Sequence, residues 1–577
     1  MGIAEKLVHA GILTLLCRAI AVIIAAFVVR FLYTGYVQRM KVRKLKAQGI
    51  PVIRHSFLLG HLPLFFDFRR AHPPDVSFYV LHTWLADNAI KYFPELNGRL
   101  PPIVYLDLWP LTYCYALVYD GVANQQFTQV QSVNKHQVVR DFLVYMTQTH
   151  DLFSSDGPIW KTWRSRFNPG FSSRNISTMI PELMEEVLVF VDILKQNAGP
   201  NGTWGRVFPL ERKTTNLTFD IIVRAILDIR LHDQTTEPGA PLKLAMVDQI
   251  NLMNEMPIMA RNGLPFLDKN PQRLKQIAHY NDVMHEILLK PIQERMRESA
   301  KPGQKKTAVD LALKYMEEDE AKEGNKPEVE FVDRLIANLK VMMFAGHDTT
   351  SATICFMTKC LQDNPDCLAK LRHEHDVVLG EPDKVVEVLT ASPHLIYSLP
   401  YTLGVIKETL RLWPLASTVR ETEPNFFISA KDDPMRYPAD GWALWTASPG
   451  LHRNPDYWHR PNEFLPERWI VGPEDPLHPV LKDAWTPFSI ANSVLLGPRS
   501  CIGMELALTE LKLVSVMIAR SFDMEEAWDE WDKTQGDKAT PDHKINGERL
   551  YMTGNSTVHP KDGMPVRVRM RTHVSQA

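Results

Sequence analysis

The sequence predicts a mainly helical fold with a small β-rich portion and a membrane-crossing helix at its amino terminus. Apolar residues recur at helical spacing along most of the 577 residues, and no clear linker interrupts them. The stretch from Pro101 to Val130 instead alternates apolar and polar residues and contains many aromatics, which predicts strands. Length alone would suggest several domains, but the uninterrupted helical pattern favours one large unit.

The amino-terminal helix is predicted from an apolar run between Gly11 and Val29. Eleven residues of this run are Leu, Ile, Val or Phe. At about −0.45 kcal/mol each they favour insertion by roughly 5 kcal/mol, against a cost of about 2.5 kcal/mol for Arg18. The run therefore crosses a bilayer if Arg18 and Arg30 snorkel or face an edge. A helix that lies along the membrane surface is the alternative, because the arginines interrupt the run.

Basic residues follow the apolar run and set the predicted orientation: Arg39, Lys41, Arg43, Lys44 and Lys46. The positive-inside rule places such a cluster in the cytoplasm. We therefore expect an uncleaved single-pass anchor over residues 1–36, a basic and proline-containing hinge over 37–60, and a cytosolic body over 61–577. Gly49-Ile50-Pro51 is the predicted rigid break, because proline fixes its own backbone angle and ends helices.

Charge and cysteine content exclude two classes of protein. The chain has 65 basic and 67 acidic residues, so it lacks the positive excess of a nucleic-acid-binding protein. The cysteines form no C-x-x-C pair and no secreted disulfide framework, which fits a reducing, cytosol-facing location. They are Cys17, Cys114, Cys355, Cys360, Cys367 and Cys501.

Cys501 stands in the stretch Gly497-Pro498-Arg499-Ser500-Cys501-Ile502-Gly503, directly before a helical apolar pattern. The positive end of a helix favours a thiolate at this point, and a heme iron takes an axial thiolate from a cysteine. Gly497 and Gly503 allow the backbone to approach a flat cofactor. The alternative for a lone cysteine is that it merely fills the core.

Gly497, Arg499, Cys501 and Gly503 resemble the heme-binding loop of the cytochrome P-450 family. Three further family signatures occur in the family's order: Ala345-Gly346-His347-Asp348-Thr349-Thr350, Glu408-Thr409-Leu410-Arg411, and the segment PNEFLPERW from Pro461 to Trp469. One such match is weak, but four in order are specific. The resemblance covers nearly the whole chain and is similar to fungal membrane-bound members.

The resemblance implies heme b with Cys501 as the axial iron ligand. Arg499 would bind one heme propionate with its fork of donors. Trp160 and Arg164 are four residues apart and share a helix face, and in the family such a pair also reaches a propionate. Arg420 matches a position that usually binds the second propionate. For Trp160 and Arg164 the alternative is an aromatic ring stacked on a surface arginine.

The segment from Phe331 to Leu361 is predicted to be one long helix that Asn364-Pro365 ends. Glycine inside a helix costs about 1 kcal/mol relative to alanine, so Gly346 needs a reason in packing or function. The resemblance implies that Gly346 makes room for dioxygen, that Thr349 hydrogen-bonds the oxygen, and that Asp348 relays protons. A threonine that bonds back to a helix carbonyl and bends the helix is the alternative.

Glu408 and Arg411 lie three apart on a helix predicted from Tyr401 to Trp413. The resemblance implies that they are buried and joined by Arg468 in a structural network that steadies the heme loop. Further along, the methionine-rich segment from Leu252 to Leu289 resembles the family's mobile lid. Its methionines suit contact with an apolar ligand and ordinary core packing equally well. We expect a charged exposed loop from Lys301 to Glu330.

One departure from the family pattern precedes Cys501. The family places a phenylalanine seven residues before the cysteine, but position 494 is Val. Phe488 resembles the displaced partner, which implies an insertion of about six residues within Ile490 to Leu496. The insertion then either loops out and leaves a working site, or disorders the turn that shields the sulfur and disables the site.

The resemblance implies a heme-thiolate monooxygenase of fungal secondary metabolism that inserts one atom of O2 into an apolar organic substrate. Electrons would come from NADPH through NADPH-cytochrome P-450 reductase, because the chain has no G-x-G-x-x-G helix opening of its own. The expected location is the endoplasmic reticulum membrane, with residues 61–577 as the cytosolic catalytic domain. Two alternatives stay open: a heme-thiolate isomerase or dehydratase, and a non-catalytic heme- or ligand-binding protein.

Overall fold

The computed structural model of the protein describes residues 3–130, 133–261, 267–297, 307–323, 328–489, 499–554 and 556–571. It is mainly helical with small sheets, as the sequence predicts. In chain order the helices are α1 Ile3–Ala47, α2 Leu62–Ala71, α3 Val80–Asp87, α4 Ala89–Tyr92, α5 Gly121–Gln125, α6 Gln137–Thr147, α7 Gly157–Phe167, α8 Ser173–Asn197, α9 Leu210–Leu227, α10 Pro241–Glu255, α11 Ile258–Arg261, α12 Arg273–Arg297, α13 Ala308–Glu323, α14 Glu328–Asp363, α15 Pro365–Leu379, α16 Val385–Ala391, α17 Pro400–Leu412, α18 Ser448–Leu451, α19 Met504–Ser521 and α20 Trp528–Gln535.

The strands form two larger sheets and two short hairpins. They are β1 Ile103–Leu106, β2 Tyr115–Val118, β3 Asn134–Lys135, β4 Phe208–Pro209, β5 Val419–Glu421, β6 Phe427–Ser429, β7 Arg436–Pro438, β8 Ala443–Thr446, β9 Phe522–Glu526, β10 Met552–Thr553, β11 His559–Pro560 and β12 Pro565–Met570. The first sheet has the order β1-β2-β8-β5-β3, and its β2–β8 pair is parallel. The second has the order β4-β12-β9, and β6–β7 and β10–β11 are the hairpins. The strands predicted between Pro101 and Val130 are β1 and β2.

Helix α1 is unbroken over 45 residues. Among the described residues it is the one helix that is long and apolar enough to cross a membrane, and its apolar window is not buried. The helix does not stop at residue 36, where the sequence analysis ends the anchor. No glycine or proline occurs from Tyr36 to Gln48, so the helix continues to Ala47 and buries Val42 and Leu45 against the first sheet. Much of the expected hinge is therefore helix.

The charged segment expected to be a loop from Lys301 to Glu330 contains a helix instead. Helix α13 covers Ala308–Glu323, and α14 already begins at Glu328. Ala308, Val309 and Ala312 are buried in the main core. Their spacing places them on one face of α13, and burial of that face outweighs the charged residues on the other. The loop prediction is wrong over this part.

The methionine-rich segment compared with a lid forms the end of α10, α11 and the first part of α12. Residues 262–266, between α11 and α12, are not described. Met253, Met256 and Met284 are buried in the main core. Their burial agrees with core packing, which the sequence left as likely as contact with a ligand.

Helix α14 spans 36 residues and runs through the centre of the main core, closely packed against α9. The hydroxyl of Thr218 on α9 donates a hydrogen bond of 2.7 Å to the carbonyl of His347 on α14. A Cβ added to Gly346 would lie 2.8 Å from Cγ1 of Ile222, so glycine allows the two helices to approach. Packing against α9 thus gives Gly346 a structural reason that does not involve dioxygen.

Candidate heme-thiolate site

Cys501 lies just before α19, and backbone groups that precede it and follow it in the chain both contact it. Its backbone N–H donates to the carbonyl of Phe488 at 2.9 Å. The N–H groups of Gly503 and Met504, at the positive end of α19, are directed at its sulfur. The residue keeps accessible surface although many protein atoms surround its sulfur.

Nearby groups compensate only part of the charge of a Cys501 thiolate, so the pKa of the thiol stays raised. Burial raises the pKa of the thiol, while the N–H of Gly503 and the cations Arg164 and Lys135 act in the opposite direction. A thiolate is the form that binds iron, and a metal cation would supply the remaining stabilisation. The surroundings of Cys501 are therefore suited to a metal-bound thiolate.

No other cysteine has this combination of access and positive surroundings. All six lie in the described part of the chain, and four of them are buried in the protein interior: Cys114, Cys355, Cys360 and Cys367. Burial raises the pKa of each of these four thiols. Cys17 lies on the apolar part of α1. Cys501 remains the candidate ligand.

The segment predicted as an insertion, Ile490 to Leu496, lies outside the described residues, as do Val494 and Gly497. The residues on either side of this segment are nevertheless together, because Phe488 accepts the hydrogen bond from Cys501. The ring of Phe488 also contacts that of Trp485, with centroids 6.0 Å apart. Phe488 therefore lies beside the cysteine even though thirteen residues separate them in sequence.

A pair of buried cations adjoins this cysteine. Lys135 on β3 and Arg420 on β5 face each other directly across an antiparallel pair, and both are buried. The Nη1 of Arg420 donates a long bond of 3.4 Å to the carbonyl of Val133, whereas its Nε and Nη2 have no partner among the described residues. Burial lowers the pKa of Arg420 to about 10 and lowers that of Lys135 further from its usual value. Like charges opposite each other, with unpaired donors, are costly to bury.

This arrangement fits a cofactor that carries negative charge. Two heme propionates would supply carboxylate oxygens to the free nitrogens of Arg420 and to the Lys135 ammonium, and so offset the cost of burying them. A Cβ added to Gly503 would meet no protein atom within 4 Å, so the backbone there leaves room for a flat group. The residues present are therefore compatible with heme.

Arg499, Trp160 and Arg164 lie together, with partners that the sequence analysis did not name. The Arg499 guanidinium lies 3.9 Å from the centroid of the Trp160 ring, and its Nη2 pairs with Asp156 at 2.6 Å. Arg164 donates from Nη1 to the carbonyl of Ser500 at 2.8 Å. The arginine stacked on Trp160 is thus Arg499 and not Arg164, and its side chain is buried. Contact of these three residues with propionates stays a prediction.

Thr349 and Asp348 occupy the middle of α14 with different partners. Thr349 is half-buried, and its hydroxyl donates to the carbonyl of Ala345 at 2.9 Å, as in the alternative of a threonine bonded back to its helix. Asp348 is buried and accepts a hydrogen bond from the hydroxyl of Thr557. Asp348 also faces Nε2 of His559 at 3.5 Å. The acidic residue is therefore connected to the carboxyl-terminal hairpin.

Glu408, Arg411 and Arg468 form one fully buried cluster. Arg411 donates to both carboxylate oxygens of Glu408, at 2.9 and 2.8 Å, and Arg468 donates to Oε1 at 2.9 Å. The carboxylate also accepts from the indole of Trp469 at 3.0 Å, and the Trp469 ring contacts that of Trp485. Since the Trp485 ring contacts that of Phe488, a chain of packed groups joins this cluster to the carbonyl that holds Cys501.

The family model for cytochrome P450, here written cytochrome P-450, matches residues 71–545 of the sequence. That match covers most of the chain. The protein belongs to the cytochrome P-450 family. Membership implies a heme with thiolate ligation, and Cys501 is the residue with suitable surroundings. It also implies dioxygen, a redox partner and a small-molecule substrate.

Two curated relatives of this cytochrome P-450 that cover most of its length come from fungi. It is 34% identical over 561 residues to cytochrome P-450 monooxygenase polC of Polytolypa hystricis, with 96% of each chain covered. It is 28% identical to cytochrome P-450 monooxygenase acrF of Aspergillus aculeatus, with 82% of this chain and 94% of the relative covered. A crystal structure of the cytochrome P-450DA heme domain matches with a TM-score of 0.64 at 21% identity, over 90% of this chain and 96% of that one, which shows the fold.

Several residues of the P-450 site were missed by the sequence analysis. Asp156, Thr557 and His559 contact residues that it named, and Glu211 contacts His559. The charge of Lys135 acts on the Cys501 thiol. Thr557 and His559 are two residues apart, and in an extended segment this spacing places both on one face. Lys135 and Glu211 gave no comparable signal, since only tertiary contacts bring them to the site.

Proposed function

We propose that this cytochrome P-450 is a membrane-anchored monooxygenase that inserts one oxygen atom from O2 into an apolar organic substrate and releases the other as water. The observation that carries the proposal is the placement of Cys501 at the positive end of α19, beside Arg164 and Lys135. A heme bound there would supply the redox chemistry that activates dioxygen.

Some residues of the chain would bind the heme, and others would handle protons on its other side. Cys501 would bind the iron, and Arg420 with Lys135 would hold the propionates at their buried pair. Asp348 would hold the proton that the reaction consumes, since its carboxylate is buried in α14 and hydrogen-bonded by Thr557. Thr349 would release its bond to Ala345 in order to turn its hydroxyl toward the reaction.

The proposed electron donor is NADPH-cytochrome P-450 reductase at the endoplasmic reticulum, with the body on the cytosolic side. The exposed apolar part of α1 and the basic residues that follow it support this placement. The fungal relatives, both named monooxygenases, support a role in fungal secondary metabolism. The identity of the apolar substrate would then depend on the pathway.

The test is a reduced carbon monoxide difference spectrum of the full-length protein in detergent. We expect the band typical of a heme with a thiolate ligand. Cys501→Ala should abolish this band, because it removes the proposed ligand. Cys367→Ala is the matched control, since Cys367 is a buried cysteine on α15 whose loss should leave the band unchanged.

Two outcomes would contradict the proposal. Survival of the band in Cys501→Ala would show that another residue binds the iron. An intact band without NADPH oxidation, in the presence of the reductase and O2, would refute the monooxygenase and favour a heme-thiolate isomerase or a binding protein.

A further inference from the structure

His559 bridges two carboxylates that belong to different helices. Its Nδ1 lies 2.8 Å from Oε1 of Glu211, in the first turn of α9. Its Nε2 lies 3.2 Å from the hydroxyl of Thr557 and 3.5 Å from Oδ2 of Asp348, in the middle of α14. Thr557 in turn donates its hydroxyl to the same oxygen of Asp348. One imidazole thus connects α9, α14 and the carboxyl-terminal hairpin.

The two ring nitrogens have different partners and hence different tasks. Glu211 is an acceptor, so it fixes the proton on Nδ1 and turns Nε2 toward Thr557 and Asp348. A proton on Nε2 can pass to the oxygen of Thr557 while the Thr557 proton passes to Asp348. The geometry therefore gives a direct route for a proton from the imidazole to the carboxylate.

Access to water is greatest at the imidazole end of the route that leads from His559 through Thr557 to Asp348. The exposed fraction of the side chain is 32% for His559, 17% for Glu211 and 12% for Asp348. Thr557 is buried. Water can therefore reach the imidazole and restore its proton, whereas the carboxylate at the inner end is sheltered.

The hairpin holds the imidazole in this position. Gly554 has φ +80°, and a Cβ added to it would lie 2.8 Å from Cδ2 of His559 and 2.5 Å from the carbonyl oxygen of Thr557. The N–H of Val558 donates to the carbonyl of Leu415 at 3.1 Å, which ties the hairpin to the loop before β5. The position of His559 is therefore set by both the hairpin and its neighbours.

The charged groups around His559 favour its protonated form. Burial opposes the charge, but Asp348 on α14 and Glu211 on α9 outweigh burial and raise the pKa of His559 to about 9. His347, also on α14, is fully enclosed, and burial lowers the pKa of its imidazole. Burial likewise raises the pKa of Glu211, against the effect of His559. At neutral pH the imidazole thus carries a proton that it can donate.

We propose that His559, oriented by Glu211, supplies protons to Asp348 through the hydroxyl of Thr557. This inference rests on the proposed monooxygenase function. In that reaction the substrate, O2, two electrons and two protons give the hydroxylated product and one water. NADPH provides both electrons and releases one proton, and the solvent provides the other. His559 is a positioning residue in this scheme, because it acts through Asp348.

The test compares His559→Gln and Glu211→Gln with the wild type as heme-loaded, full-length protein reconstituted with the reductase. His543→Gln is the matched control, a half-buried histidine in the same carboxyl-terminal region. With 7-ethoxycoumarin as an apolar probe, NADPH oxidation and its solvent deuterium isotope effect are measured from pH 6.5 to 10. Heme content and the carbon monoxide band are measured on every sample.

We expect His559→Gln to keep its heme and the carbon monoxide band but to slow NADPH oxidation about tenfold and increase the isotope effect. The wild-type rate should fall as pH rises through about 9, where His559 loses its proton, and this alkaline decrease should vanish in His559→Gln. Glu211→Gln should move the decrease to lower pH. A merely structural role would instead lower heme content or thermal stability without changing the pH profile.

Histidine NMR of the ¹³C-labelled protein gives a second readout that does not depend on turnover. The His559 resonance, assigned by its loss in His559→Gln, should titrate near pH 9 in the wild type and lower in Glu211→Gln. A wild-type rate, isotope effect and alkaline decrease in His559→Gln would overturn the relay alone. Absence of NADPH oxidation in the heme-loaded wild type would overturn the proposed function, and the relay with it.

Discussion

Arg420 shows most clearly how single residues prepare this site for a cofactor. Its guanidinium is 1% exposed, two of its nitrogens have no partner among the described residues, and Lys135 lies opposite it. A protein without an anion at this point would gain stability by losing one of the two charges. The proposed propionates would explain the pair, whereas folding alone does not.

Arg420→Met should consequently change two properties in opposite directions. The apoprotein should become more stable, because a buried unpaired charge is removed. Heme retention should weaken by roughly 10- to 100-fold, since a hydrogen bond to a charged group contributes about 1.5–3 kcal/mol. Thermal unfolding of the apoprotein and heme transfer to apomyoglobin measure the two effects.

The matched control for this prediction is Arg99→Met, because Arg99 is exposed. It should leave both properties nearly unchanged. A destabilised Arg420→Met apoprotein with normal heme retention would mean that Arg420 is a folding residue.

At the residue scale, the sequence motifs identified Cys501 and Arg420 because their neighbours in sequence carry the family pattern. They did not identify Lys135, which joins the site only through its pairing with β5. The partners of Arg499 were also missed, since Asp156 is more than three hundred residues away. Contacts over such separations leave no local signal.

At the element scale, the crossing of α9 and α14 determines which residue types fit in the middle of α14. Gly346 faces Ile222 closely, and hydroxyl groups of α9 bond to the α14 backbone and side chains nearby. A glycine at this point costs helix stability, but it lets the two helices approach. The long helix was predictable from its apolar period and its closing Asn364-Pro365, whereas its packing against α9 was not.

Gly346→Ala tests this crossing, because the change in stability that it causes should have opposite signs in two backgrounds. In the wild-type background the new methyl overpacks against Ile222 at a cost of about 1–3 kcal/mol, which exceeds a gain of about 1 kcal/mol in helix propensity. In an Ile222→Ala background the two closest atoms are removed and only the Cβ of residue 222 remains near, at 3.3 Å, so the gain in helix propensity should outweigh the smaller clash and the same change should stabilise the protein.

The measurement for Gly346→Ala is the free energy of unfolding of the wild type, both single variants and the double variant. Ile226→Ala is the control background, because Ile226 is also buried on α9 but is not among the atoms closest to Gly346. Destabilisation by Gly346→Ala in both alanine backgrounds alike would show that the glycine is not required by Ile222.

At the scale of the whole molecule, α1 is both a candidate anchor and part of the body. Arg39 is buried near its end, pairs with Asp107 at 2.5 Å and donates to the carbonyl of Trp109 at 2.9 Å. His55 also contacts the Asp107 carboxylate, at 3.0 Å. This candidate anchor helix is thus joined to the end of β1 by a buried ion pair.

A protein that lacks residues 1–30 should therefore fold, since the removed part of α1 is exposed. In this shortened protein, Arg39→Met should lower the free energy of unfolding by about 3–5 kcal/mol, because it leaves Asp107 buried without its guanidinium. Denaturation in urea measures the change.

Arg43→Met is the control for Arg39→Met, because Arg43 is exposed and lies over the ring of Phe57. It should cost no more than about 1 kcal/mol. Equal stability of the Arg39 and Arg43 variants would show that the buried ion pair does not join α1 to the body.

The sequence by itself determined the features that local order carries. These are the long apolar helix α1, the period and end of α14, and the cysteine that precedes α19, because each is set by residues adjacent in the chain. Tertiary structure alone decided that α1 enters the body through Arg39, that α13 is helical, and that His559 meets Asp348 and Glu211. Those outcomes depend on burial and on charges brought together from distant segments, and the free energy of such contacts exists only once the chain has folded.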